Sequence, residues 1–181
     1  MSFDDFTSRV NSDLIGKITN IISRSAQFLE KKLDGKLGKI PADGESLLQE
    51  ARERSTIISQ CYEKRDFSKV MLEIRGLADK VNKYFDEKAP WKNAATAPEE
   101  TRDVLTVAIN MFRLISVYLK PILPDYVQRV ETFFQEEPYT WDSLGKTLQY
   151  SSLQSYTHLL SRLDEKKIPL IVEETKNLQK K

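Results

Sequence analysis

Several residue types are scarce in this chain of 181 residues, and each shortage excludes a class of protein. Cys61 is the only cysteine, so neither an intrachain disulfide nor a cysteine-based metal site can form. No apolar run approaches the ~18 residues of a membrane-spanning helix, and the first residues lack the apolar core of a signal peptide. We therefore expect a cytoplasmic protein that has no membrane partner.

An excess of charge of one sign is also lacking, since the net charge is +1. A chain this close to neutral is not expected to collect DNA or RNA indiscriminately. We therefore exclude DNA as a partner and expect any nucleic-acid site to be a local basic patch. Apolar residues make up 40% of the sequence, which is enough to form a core beneath a well-solvated surface.

Residues that could carry catalysis are few. His158, the only histidine, lies in an apolar run, and we expect it to be a partly buried structural residue. Cys61 falls in a helical pattern and is expected to be buried. The sequence has no glycine-rich phosphate loop, and acidic pairs such as Glu99-Glu100 adjoin helix starts, where the helix dipole explains them. The chain is predicted to have no catalytic residue, no metal site and no cofactor, and to act as a binding module.

Long patterns with a period of 3.6 residues dominate the sequence, which contains only 6 glycines. They predict a single all-α domain over residues 1–181, an antiparallel helical bundle of four to five main helices. Residues 135–155 should be irregular, and 158–163 should be extended or helical. Helices are predicted at 3–33, 45–64, 67–88, 98–119, 125–134 and, near the end of the chain, 168–178.

The first predicted helix carries a polar stripe opposite its apolar face. Its members follow alternating three- and four-residue spacing: Lys17, Asn20, Arg24, Gln27 and Lys31. One interpretation is an ordinary solvated face of an amphipathic helix. The other is a base-reading surface, because arginine offers a rigid fork of donors and the amides offer both donors and acceptors.

A second candidate feature is the sequence Ala89-Pro90-Trp91. Pro90 is expected to end the third helix, because the residue before a proline is pushed out of helical geometry. Trp91 then lies in a polar stretch outside the apolar periodicity. It is either a hydrophobic staple over the bundle end or an aromatic platform for an unpaired base.

Three long segments together carry a family resemblance. They are RVNSDLIGKITNIISRSAQFLEKKLDG (9–35), LADKVNKYFDEKAPW (77–91) and INMFRLISVYLKPILP (109–124), the last followed by Thr140-Trp141-Asp142. The first resembles the opening helix of the anticodon-binding domain of methionyl-tRNA synthetases. Segment 77–91 is similar to the third helix of that domain and the turn beyond it. Segment 109–124 adds a further match. The resemblance covers nearly the whole chain in the same order.

This resemblance implies a function and a set of site residues. In the family, the domain is a helical bundle that recognises the CAU anticodon of methionine tRNAs. Carried over to this sequence, the N-x-x-x-R pair that reads anticodon bases is Asn20 and Arg24. The tryptophan that stacks against the first anticodon base is Trp91, and Pro90 shapes its turn. We expect Asn20 and Arg24 to set specificity and Trp91 to set affinity.

Further candidates lie near these residues. Asn82 and Asp86 share the same helix-end surface, and Lys31 with Lys32 would contact phosphates one or two turns beyond Arg24. Two positions depart from the family form. Ser25 stands where cysteine or asparagine is common and Gln27 where glycine is common, changes expected to alter only local packing.

The resemblance also implies a missing part. A complete enzyme of this family uses ATP and has a catalytic domain with H-I-G-H-like and K-M-S-K-S-like motifs, neither of which occurs here. We expect either an excised part of a longer synthetase or a stand-alone tRNA-binding cofactor acting in trans. Its partners would be the methionine tRNA anticodon stem-loop and the catalytic domain of the parent enzyme. The remaining alternative, a helical protein-interaction module, predicts no tRNA binding and a Trp91 packed into the bundle.

Overall fold

The computed structural model describes residues 3–163, whose regular structure is helical apart from one isolated antiparallel bridge between Lys36 and Ser152. A π-helical segment, Val10–Thr19, joins the first two α-helices, and a 3-10 helix spans Trp141–Gly145. The α-helices are α1 (Phe3–Arg9), α2 (Asn20–Leu33), α3 (Ala42–Glu53), α4 (Ser55–Glu63), α5 (Phe67–Lys88), α6 (Pro90–Asn93), α7 (Pro98–Leu119) and α8 (Pro124–Phe134).

α7 occupies the centre of the bundle. Every residue from Val104 to Leu119 is buried, because α2, α3, α5 and α8 cover this helix on all sides. Arg102, near the start of α7, donates to the backbone oxygen of Leu33 at the end of α2 at 2.7 Å. α2 and α7 therefore run in opposite directions.

Ion pairs show the directions of the outer helices. Lys88 lies 2.5 Å from Asp43, and Lys80 pairs with Glu50, so α5 runs antiparallel to α3. By contrast, Asp13 pairs with Arg75 at 3.5 Å, and Lys17, four residues later, pairs with Asp79, four residues after Arg75, at 2.7 Å. The π-helical segment and α5 therefore run side by side in the same direction. α7 runs antiparallel to α2 and α5 runs antiparallel to α3, so the predicted all-α bundle is confirmed, with one parallel pair of neighbours.

Two of the predicted helices have unexpected interiors. The helix expected at 3–33 is continuous in extent, but its middle third is π-helical, whose wider turns a 3.6-residue period does not anticipate. The helix expected at 45–64 is instead two helices that meet at Arg54.

The remaining predicted boundaries agree closely with the structure. Helices at 67–88 and 98–119 are confirmed, and α8 starts one residue earlier than expected, with Pro124 in its first turn. The irregular stretch 135–155 contains the short 3-10 helix, and 158–163 forms no helix. The helix predicted at 168–178 lies outside the described residues.

Burial follows the predicted apolar faces with one exception. Cys61 is buried, as expected. His158 is exposed rather than partly buried, because its segment runs over the surface of the bundle; its ring lies edge-on to that of Tyr156. The predicted inner face of α5 is buried throughout, at Val70, Ile74, Leu77, Val81 and Phe85. Within residues 3–163, no helix is both long and apolar enough to cross a membrane.

A buried ion pair joins α7 to the chain beyond α8. The guanidinium of Arg113, 1% exposed, donates to both carboxylate oxygens of Glu136 at 2.6 and 3.1 Å. Lys146 and the hydroxyl of Tyr139 also donate to this carboxylate. Burial by itself raises the pKa of Glu136, but the bonds from Arg113 and Lys146 outweigh it and hold the pKa below the usual 4.5.

We expect Glu136→Gln to destabilise the fold by ~3–5 kcal/mol, because it leaves the charge of Arg113 buried without a counter-ion. Since the folded-state pKa of Glu136 is lowered, its stabilisation is fully present above about pH 4.5 and is lost as the pH falls through the folded value. Urea unfolding at pH 7 and at successively lower pH measures both effects. The neighbouring, exposed Glu137→Gln is the control, and an equal loss in the two variants would contradict the account.

Candidate RNA-binding surface

The end of α5 places Trp91 at the surface. α5 stops at Lys88, and Ala89 adopts a left-handed conformation with φ of 42°, which turns the chain before Pro90 begins α6. Trp91 is therefore the second residue of a short helix. It is 48% exposed, and its ring lies 5.7 Å from that of Phe85. Trp91 thus packs on the bundle end and still offers free ring surface, as a platform requires.

Arg24 lies against the same phenyl ring from α2. Its guanidinium carbon is 4.4 Å from the centre of the Phe85 ring, a cation–π distance. One terminal nitrogen donates to the Asn82 side-chain oxygen at 2.8 Å, and the other is 3.7 Å from a carboxylate oxygen of exposed Asp86. The Arg24 side chain remains 35% exposed, although its Nε is buried and has no hydrogen-bond partner within residues 3–163.

The hydrogen-bonding groups of Asn82 are used within the fold. Its amide nitrogen donates to the backbone oxygens of Ala78 at 2.8 Å and Lys17 at 3.3 Å, while its oxygen accepts from Arg24. Both amide hydrogens and the oxygen are therefore engaged, and Asn82 lies behind Arg24 as its support. This differs from Asp86, whose carboxylate is exposed beside Arg24.

A groove of about 370 Å³ runs beside Arg24 and Trp91, and we call it the Trp91 groove; neither Asn82 nor Asp86 lines it. Its lining also includes Phe85, Lys31 and Lys32. Both lysines are exposed, and neither forms an ion pair within residues 3–163. With Arg24, the two lysines make the groove a local basic patch. Pro90 is buried at the start of α6 and does not line the groove.

Asn20 does not share this groove. It lies one turn before Arg24 and lines a neighbouring groove of about 500 Å³, which we call the Tyr156 groove. The opposite wall is formed by Tyr156, His158 and Arg162, and Ser23 lines both grooves. Sequence reasoning missed these three residues, because they come from an irregular segment more than 130 positions away along the chain.

Phe85 was predicted only as a core residue, yet it contacts both Arg24 and Trp91. The spacing Asn82, Phe85, Asp86 at i, i+3 and i+4 contained the signal that these side chains share one face of α5. In the part of the chain from 3 to 163, no three histidine, cysteine or acidic side chains lie close enough together to hold a metal ion.

Comparison with known proteins identifies the family. A model of the anticodon-binding domain of methionyl tRNA ligase matches residues 35–160. The methionine–tRNA ligase of Bdellovibrio bacteriovorus is 46% identical over 178 residues, and that of Leptospira biflexa is 40% identical over 176. These alignments cover 98% and 97% of this chain, including Asn20 and Arg24, which precede the family match. The chain spans about a quarter of the length of each of these relatives, 26% in both cases.

Solved structures show the same fold. Ligand-free methionyl-tRNA synthetase of Mycobacterium tuberculosis superposes with a TM-score of 0.84 at 19% identity, over 91% of this chain and 35% of that one. The same enzyme with methionyl-adenylate gives a TM-score of 0.81 at 20% identity, over 90% of this chain and 34% of that one. With the family match, which covers well over half of the sequence, these likenesses confirm the resemblance found in the sequence. The chain belongs to the family of anticodon-binding domains of methionyl-tRNA ligase, a family of protein synthesis.

Proposed function

We propose that this chain binds the CAU anticodon of methionine tRNA as the recognition part of a methionyl-tRNA synthetase in the cytoplasm. The observation that supports it is the Trp91 groove, where an exposed aromatic ring, a guanidinium held by Asn82 and two exposed lysines line one space. The catalytic domain of the parent enzyme would bind ATP and be joined to this chain. The chain itself would need no cofactor.

The Trp91 groove suits cytosine, the first anticodon base. Cytosine presents two acceptors, N3 and O2, beside an exocyclic amine that donates. The outer donors of Arg24 would pair with the acceptors, and the Asp86 carboxylate, 3.7 Å from Arg24, would accept from the amine. Uracil would place a carbonyl oxygen against that carboxylate. One unpaired polar group costs ~1–3 kcal/mol, so discrimination of about tenfold or better is expected.

Other residues of the surface would contribute stacking, positioning of Arg24 and contacts to phosphates. Trp91 would stack on the cytosine whatever its edge presents, and Asn82 would hold the Arg24 fork in place. Lys31 and Lys32, exposed at the edge of the groove, would approach backbone phosphates. We therefore infer that base identity is read by Arg24 with Asp86 and that affinity comes from Trp91 and the lysines.

The direct test is a titration of the chain with anticodon stem-loops bearing CAU or UAU, followed by fluorescence anisotropy. The wild type should prefer CAU, and Arg24→Lys should reduce this preference together with affinity, because lysine keeps the charge but lacks the planar fork. The slope of log affinity against log salt should hardly change, since no phosphate contact is lost. Equal wild-type affinity for the two loops would contradict the proposed function.

Lys31→Ala provides the matched comparison in the same groove. It should weaken binding to CAU and UAU alike, leave their ratio unchanged and reduce the salt slope by about one. If Arg24→Lys behaved in the same way as Lys31→Ala, Arg24 would be a general electrostatic contact, and the assignment of base reading to it would be wrong.

Trp91→Ala should lower affinity for the CAU loop by ~1–3 kcal/mol, the range measured for stacking of a base on an aromatic side chain. The ratio of affinities for CAU and UAU should stay close to its wild-type value. Phe67→Ala is the control, because Phe67 is a similarly exposed aromatic residue at the opposite end of α5. A large fall in melting temperature for Trp91→Ala, with no specific loss of binding, would identify Trp91 as part of the core instead.

A further inference from the structure

We propose that a cavity beside α6 binds a small organic diamine, at a site separate from the RNA-binding surface. The cavity has a volume of about 210 Å³ and is lined by residues from the start of α3, the end of α5, α6 and the first turns of α7. We call it the Tyr84 cavity. The proposal does not depend on the proposed function, because neither RNA nor the Trp91 groove takes part in the binding.

Two buried hydroxyl groups in the lining are unsatisfied within residues 3–163. Tyr84 is 9% exposed and Thr101 is 2% exposed, and both line the cavity. Neither hydroxyl oxygen has a hydrogen-bond partner in this part of the chain. A buried polar atom without a partner costs free energy, so such atoms in native folds usually meet a water molecule or a ligand. The two hydroxyls therefore indicate that a polar group belongs in this cavity.

The charges in the lining favour a cation. Three carboxylates and one ammonium group line the cavity, which leaves an excess of two negative charges: Asp43, Glu100, Asp103 and Lys88. Lys88 lies 2.5 Å from Asp43, so these two charges are paired with each other. Glu100 is exposed and forms no ion pair within the described part of the chain. A ligand with two positive charges would neutralise the excess.

Burial affects two of the groups that such a ligand would meet. It raises the pKa of the Asp103 carboxyl, because a buried carboxylate loses solvation. Burial also raises the pKa of Tyr84, and the nearby charges of Asp43 and Asp103 raise it further. The phenol therefore keeps its proton, and its oxygen is able to accept a hydrogen bond from an ammonium group. The same ammonium would replace the lost solvation of Asp103.

The remaining features of the lining indicate an organic cation instead of a metal ion. Between residues 3 and 163, no three histidine, cysteine or acidic side chains lie close enough together to hold a metal ion. Pro41 and Val104 add apolar surface, which suits the methylene groups that join two ammonium groups. The cavity is smaller than the ~300–1,000 Å³ of sites that hold drug-sized ligands. A short-chain diamine therefore matches its size.

α6 separates the Tyr84 cavity from the Trp91 groove. Pro90 and Asn93 line the cavity, whereas Trp91, which lies between them in the sequence, lines the groove. A ligand in the cavity would therefore contact the short helix that carries Trp91. The emission of Trp91 should report binding, although its ring lies on the other side of α6.

Isothermal titration calorimetry with putrescine, a short-chain diamine, tests the site. Glu100→Gln should weaken binding about tenfold, because it removes a charged partner of the ammonium group. Glu99→Gln is the matched control, since Glu99 is also exposed and carries the same charge but does not line the cavity. This variant should bind putrescine as tightly as the wild type does.

A second variant tests the buried hydroxyl. Tyr84→Phe should also weaken putrescine binding about tenfold, but its melting temperature should equal or exceed that of the wild type, because the hydroxyl has no partner to lose within residues 3–163. In a Trp141→Phe background, putrescine should change the emission of Trp91 with the same midpoint as in calorimetry.

Several results would overturn the proposal. Equal affinity for butanediol or for Mg²⁺ would show that the cavity does not select a diamine. Equal losses in Glu99→Gln and Glu100→Gln, or unchanged binding by Tyr84→Phe, would place the diamine elsewhere on the protein. A chain that gives neither binding heat nor a change in Trp91 emission has no such site. The preference for CAU over UAU is measured separately, so the proposed function stands or fails by itself.

Discussion

The candidate site depends on one contact, the packing of the Phe85 ring beneath both Arg24 and Trp91. Phe85 is 5% exposed and belongs to the core, so its position is fixed by the bundle. The guanidinium of Arg24 lies 4.4 Å from its centre, and the indole of Trp91 lies 5.7 Å from it. A side chain from α2 and one from the turn after α5 thereby meet on a single rigid support. Interior packing sets the geometry of a surface that is otherwise polar and exposed.

The parallel course of the first helix and α5 keeps this contact in register. Two ion pairs, Asp13 with Arg75 and Lys17 with Asp79, join the two helices at successive turns. The hydrogen bond from Arg24 to Asn82 follows them in the same register. Exposed pairs of this kind contribute little to stability individually. Their importance lies in alignment, because a shift of one turn between the helices would separate Arg24 from Phe85.

Much of the fold could be predicted from local signals. α5 begins where the Asp66 side chain accepts from the backbone nitrogen of Lys69, and α7 begins at Pro98, both recognisable helix starts. The π-helical segment Val10–Thr19 was not predictable from a 3.6-residue period. Each extra residue in such a turn rotates the following side chains by about 100°. The side of the helix on which Asn20 lies could therefore not be predicted from the sequence.

The site could be predicted in part for the same reason. Arg24 and Trp91 came from a resemblance in the sequence, and the structure brings them into one groove. Their separation from Asn20 was not foreseen, because the polar stripe placed Asn20 and Arg24 on a single face. The wall formed by Tyr156 and His158 depends on contacts across more than 100 residues, such as Glu30 with Ser155, which no local pattern contains.

The two tryptophans of the chain lie far apart, so their signals can show where RNA binds. Trp91 follows the end of α5, whereas Trp141 packs on Tyr118 and Tyr62 near the beginning of that helix, which is about 33 Å long. The most direct measurement is an NMR titration with the CAU stem-loop that follows both indole N–H signals, assigned with Trp141→Phe. The account predicts that the Trp91 signal shifts with saturable dependence on RNA while the Trp141 signal stays in place. A shift of Trp141 with Trp91 unmoved would contradict it.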